Sequence, residues 1–218
     1  MIPKTQELKH KVTADFEAGK KAFREAMSKA QTQIAAATAE IDKLRANIKA
    51  DAGEAKAKTA ARIDELTKSL DAARKDQQGK MEAHLKELHA QIESVNSEVK
   101  HAAASEKTAL EATAKSLREE YDSTRSALTA SLDAELAEAK ARITSLLDTA
   151  AEKKAAAKAA VQAKIADLHA KHEAAQKKLH ALKQANTAAY DELHRGVIAA
   201  MNEVKTAIQH ARAEIAAA

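Results

Sequence analysis

Large apolar residues recur at helical steps along almost the whole chain, and that recurrence leaves few folds open. Met81, Leu85, Leu88, Ile92, Val95 and Val99 follow one another by alternating steps of four and three. Such spacing returns each side chain to one stripe of an α-helix and marks a heptad seam. Val161, Ile165, Leu168, His172, Ala175, Leu179 and Leu182 make a second seam of the same kind. Elsewhere the step lengthens to eleven, from Leu70 to Met81 and from Val99 to Leu110. Steps of that length relax or reverse the left-handed supercoil that strict heptads impose. Strands need a period of two and tight turns, yet the chain has one Pro and four Gly with which to build turns. The pattern predicts an all-α protein: long amphipathic helices forming an elongated antiparallel helical bundle or coiled coil.

A longer period lies over the short one. Ile41-Asp-Lys-Leu44 with Ile48, Ile63-Asp-Glu-Leu66 with Leu70, and Leu85-Lys-Glu-Leu88 with Ile92 are one pattern shifted by 22 residues each time. Leu110 and Leu132 continue the Leu44, Leu66, Leu88 column, and Leu136 returns the Ile48 column after Ala114 interrupts it. That repeat is close to six turns at about 3.6 residues each, so equivalent positions return to one helix face with little drift. Duplication of a helical unit accounts for such a pattern. In this respect residues 39–148 resemble the exchangeable apolipoproteins, whose tandem amphipathic repeats of the same length coat lipid. The resemblance implies a coat on a lipid or hydrophobic granule surface. Those repeats are commonly punctuated by Pro and this stretch has none, which favours longer unbroken helices over a hinged wrap. Granule-coating phasins and late-embryogenesis-abundant proteins share the same Ala-Lys-Glu look.

Composition agrees with helix and argues against a pocket. Ala, Glu, Lys, Leu and Arg together exceed the roughly half that marks long helices, and Ala leads the helix-propensity order. The aromatic side chains are Phe16, Phe23, Tyr121 and Tyr190, too few to line an ordinary ligand cavity. There is no Cys, hence no disulfide framework and no thiol chemistry. Met1-Ile2-Pro3-Lys4-Thr5 has no apolar leader and no run reaches the length of a membrane span, so a cytoplasmic protein is expected, peripheral on a membrane or granule if its helices coat one. Gly-rich phosphate loops and nucleophile elbows are missing, and Ser, His and Asp are scattered along helix faces; no enzyme and no cofactor are expected.

The faces suggest what such helices could hold. On a wheel of residues 61–82, Ile63, Leu66, Leu70, Ala73 and Gln77 form one stripe flanked by Arg62 and Arg74. The stripe spans under about 100°, which suits a helix–helix seam better than deep insertion into acyl chains, although basic edges are also the arrangement of interfacial helices. Ile41, Leu44, Ile48, Ile63, Leu66, Leu70, Leu85, Leu88, Ile92, Leu110, Leu132 and Leu136 are therefore the candidate packing or apolar-surface ridge. The net charge of +4 resides in the last third, where residues 151–218 carry 11 basic and 7 acidic side chains. Lys153, Lys154, Lys158, Lys164, Lys177 and Lys178 are the candidates for an anionic surface, with Lys171 and Lys183 beside them. With few Arg and no interleaved aromatic, nucleic acid is an unlikely partner for them. His169 and His172, three apart on one helix, are the closest approach to a metal pair. His172 also falls on the seam, where a charged imidazole would strain the pairing and loosen the bundle modestly in acid.

Three segments follow: an N-terminal helix over 1–50, the 22-residue-period region over 51–150 and a basic helical region over 151–218. Turns are expected near 51–53, 96–105 and 149–153, with Gly79 a further possible bend. Unbroken, the chain would make a rod of about 330 Å at about 1.5 Å per residue. The leading expectation is a structural or scaffolding coiled coil that self-associates as a homo-oligomer; the alternatives are a coat on lipid or granules and a sequence-nonspecific nucleic-acid binder.

Overall fold

The computed structural model describes residues 4–48, 53–151 and 155–217, and nearly all of them are α-helical. The helices are α1 (Lys4–Asn47), α2 (Gly53–His101), α3 (Ala104–Ala151), α4 (Ala155–Gln184) and α5 (Thr187–Ala217). No strand occurs among the described residues, and the fold is an all-α helical bundle. The first three helices run 44, 49 and 48 residues, each about two of the sequence repeats. The described residues thus form five helices rather than one unbroken rod.

Three of the helix junctions show a local cause. Gly53 opens α2 with φ +56°, a left-handed conformation that costs other residues about 1–2 kcal/mol and glycine almost nothing. Before it, the Ile48 N–H bonds the Leu44 carbonyl at 2.9 Å and closes the last turn of α1. The polar run from Ser94 to Ser105 stays helical through Asn96 and Ser97 and breaks at Ala102 and Ala103. Ala103 then accepts hydrogen bonds from the Glu106 and Lys107 amides at 2.9 and 3.0 Å, starting α3. Lys100 and His101 in the last turn of α2, and Glu106 in the first turn of α3, carry the charges that the helix dipoles favour at those ends. At the last break the Asn186 side-chain oxygen accepts the Ala189 N–H at 3.0 Å, an N-cap for α5. That break was not expected from the sequence. Conversely, α2 runs through Gly79 without interruption.

The chain divides into two compact units, Met1–Arg125 and Ser126–Ala218. The boundary falls inside α3, so these units cut across the three segments expected from composition. In the first unit, Glu40 meets Arg62 at 3.1 Å and Phe23 meets His84 at 4.0 Å between ring centres, so earlier residues of α1 face later residues of α2. Ile41, Ile63, Leu66 and Leu70 form one apolar cluster here, with Ile34, Ala37, Leu44 and Ile48 packed against it. The early part of α3 contributes buried Leu110, Ala114, Leu117 and Tyr121. In the second unit the later part of α3 supplies Leu128, Leu132, Leu136, Ala139 and Ile143. α4 adds Ile165, Leu168, Ala175, Leu179 and Leu182, and α5 adds Val197, Val204 and Ile208.

Candidate functional site

The ridge read from the sequence is where the cores lie. Ile41, Ile63, Leu66, Leu70, Leu85, Leu88, Leu110, Leu132 and Leu136 are buried, and Leu44, Ile48 and Ile92 are half-buried. The 22-residue columns thus turn inward on three successive helices. Ala114, the interruption in one column, is itself buried at 2% exposure, so the column keeps its face and loses only volume. The second seam is buried at each described side chain from Ile165 to Leu182, His172 included. Gln77, placed on the stripe by the wheel, is buried at 4%. Leu147 is the exposed large hydrophobic residue among those described. The ridge thus packs against other helices of the same chain.

Repeat-equivalent positions also meet in space. Arg62 bonds Glu40, and Arg118 bonds Asn96 at 2.7 Å, each pair 22 residues apart and facing across a helix break. Arg62, expected at the edge of a lipid-facing stripe, is thereby held by Glu40 and by Glu65 at 2.9 Å.

Two buried carboxylates on α3 went unnoticed in the sequence. Glu120 follows Leu117 by three residues and Glu135 follows Leu132 by three, and both leucines are fully buried. A Glu so placed shares the leucine's face, and this spacing was the legible signal. Glu120 Oε2 takes Lys20 Nζ at 3.1 Å and Arg24 Nη2 at 3.2 Å, both from α1. Glu135 Oε2 takes Lys205 Nζ of α5 at 2.8 Å. In each unit, then, α3 is joined by a buried carboxylate to a helix that is not its neighbour along the chain. Burying an ion is costly unless it is paired, and removing one partner costs more than the pair contributes.

His84 of α2 lies beside the first of these carboxylates. It is 7% exposed, stacks on Phe23 at an interplanar angle of 20°, and has Nε2 4.0 Å from Glu120 Oε1. Burial pushes its pKa below the ordinary histidine value, against the opposing pull of Glu120 and then Glu87. His172, by contrast, donates from Nε2 to the Leu136 carbonyl at 2.9 Å.

The metal pair does not converge. His172 is buried against α3 whereas His169 is exposed. No group of three or more metal-binding side chains occurs among the described residues. Of the basic candidates, Lys164 pairs with Glu214 at 3.4 Å, and Lys177 and Lys178 are exposed. Lys171 is tied to Asp167 at 2.6 Å and Lys183 to Asp133. Lys153 and Lys154 lie outside the described residues, as does the side chain of Lys158. No described helix is long and apolar enough to cross a membrane. Comparison of the chain with protein-family models, with curated proteins and with solved structures found no match.

Proposed function

We propose that the chain is a non-catalytic structural protein whose helices associate with one another, antiparallel, inside a single molecule. One observation carries this reading: nine of the twelve ridge residues are buried and Leu44, Ile48 and Ile92 are half-buried, so no described ridge residue is left exposed to serve a partner. The fold then supplies a helical scaffold whose outer faces are polar, laced by pairs such as Lys58 with Glu54 at 2.8 Å and Lys80 with Asp76 at 2.7 Å. Each such pair contributes roughly 0.2–0.5 kcal/mol, enough to favour helix without holding the bundle together.

A coat on a lipid or granule surface is the second reading, supported by the continuous 22-residue register of the ridge. In that reading the closed units are a stored form that must open before Leu66, Leu88 and their companions can meet an apolar surface. The basic tail gives less support to nucleic-acid binding, since Glu214, Asp167 and Asp133 take up charge from Lys164, Lys171 and Lys183.

The structural reading is tested by circular dichroism melts over about a hundredfold range of concentration, run beside flotation with anionic vesicles. It predicts one melting temperature at all concentrations and no flotation. A midpoint that rises with concentration would place a second copy on the ridge and overturn self-containment; flotation with helicity retained would replace the scaffold with the coat.

A further inference from the structure

We propose that His84 is a proton-sensitive latch of the first unit: its uncharged ring packs among α1, α2 and α3, and its charged form drives them apart. The inference goes beyond the structural reading above and does not depend on it. The groups that face this ring come from all three helices. On α1, Phe23 stacks on it at 4.0 Å, with Lys20 and Arg24 on either side of Phe23 in sequence. On α3, Glu120 offers Oε1 at 4.0 Å, beyond hydrogen-bond reach. On α2 itself, Glu87 is one turn away and exposed. Nε2 makes no hydrogen bond.

Charge decides what a proton does here. Glu120 already answers two cations through Oε2, Lys20 at 3.1 Å and Arg24 at 3.2 Å. A charged His84 would be a third cation around one buried carboxylate, with only exposed Glu87 to share it. Its ring cannot reach water without leaving Phe23, so the charge is relieved by separating the helices rather than by turning the side chain. Neutral His84 satisfies the site and charged His84 does not.

The second unit buries two imidazoles in other surroundings, His194 stacked on Tyr190 with ring centres 5.9 Å apart and His172 bonded to the backbone. His172 donates to the Leu136 carbonyl at 2.9 Å. Protonation of His84 should therefore open the first unit and bare Leu85, Leu88 and Leu117.

The sign follows from linkage. The fold holds the His84 pKa below its unfolded value, so the unfolded chain binds the extra proton more readily. The stability this supplies is present above the ordinary histidine range and is lost as pH falls through it.

Amide exchange of the full chain at about pH 7.5 and about pH 5.5, corrected for intrinsic rates, measures the two units separately. The latch predicts that opening of residues 63–95 and 110–121 rises at the lower pH, by up to about tenfold per pH unit below the range of free histidine. Unchanged opening of those residues in the natural protein overturns it, with no variant required. His84→Gln, which cannot take up the proton, should remove the difference between the two pH values whatever it does to stability at neutral pH. The same acid-dependent rise in that variant would overturn the assignment to His84.

Discussion

At the scale of single residues, stability is concentrated in a few fully buried leucines and in two buried charges. Leu117, Leu128, Leu132 and Leu182 have no measurable exposure. Leu117→Ala should cost about 2–5 kcal/mol, the range for large-to-small changes in a core that cannot collapse fully, read as a fall in the urea midpoint. Glu120→Ala should cost less, about 1–3 kcal/mol, because Arg24 is 65% exposed and can turn to water once its partner is gone. The ordering is the informative result: a larger loss for Glu120→Ala than for Leu117→Ala would mean that the ion pair, not the ridge, holds α3 in place. Leu117 could be read from spacing alone, since it stands seven residues after Leu110. Glu120 stands three residues after Leu117 and so on the same face, but pattern reading assigns a glutamate to the solvated side by default, and the partners on α1 show why this one is tolerated inside.

At the scale of the element, helices were legible and their ends were only partly so. A long apolar period and scarcity of Gly and Pro dictate helix irrespective of what packs on it, which is why the seams at 81–99 and 165–182 lie on the buried faces. Ends depend on single capping groups. Gly53 was readable because its lack of a side chain marks a left-handed turn. Asn186 was equally available but stood among Ala residues with no acidic partner at the third helical position, so nothing drew attention to it. Gly79 misled for the opposite reason: a glycine inside a helix held by Gln77, Gln78 and Met81 on its buried face lowers propensity without breaking the element. Two substitutions test these causes. Asn186→Ala should cost about 1 kcal/mol through loss of the cap. Gly53→Ala should cost about 1–2 kcal/mol through backbone strain alone, since a methyl group added there meets nothing within 4 Å. Urea unfolding of each variant checks both, and a neutral Gly53→Ala would show that α2 can start from another conformation.

At the scale of the whole molecule, the long repeat and the tertiary structure are separate facts. The 22-residue period sets which face of each helix is apolar, but the breaks at 47–53, 101–104, 151–155 and 184–187 do not keep to that period. An apolar period alone is equally compatible with a second copy, a lipid surface or the chain's own helices, because each covers the same ridge. What covers it here depends on where the chain turns, and that information sits in the capping residues rather than in the repeat. Covering the ridge in cis also explains how so alanine-rich a chain keeps defined cores: each unit draws on large side chains from three helices instead of one stripe. The claim that matters most is therefore that the ridge is covered by helices of one molecule. Amide exchange of the natural chain at neutral pH, followed through Leu66, Leu88, Leu110 and Leu132 while the protein is diluted about a hundredfold, tests it most directly. Protection that persists undiminished on dilution is the result predicted; protection that fades as molecules separate would mean that other copies, not this chain's own helices, keep water from the ridge.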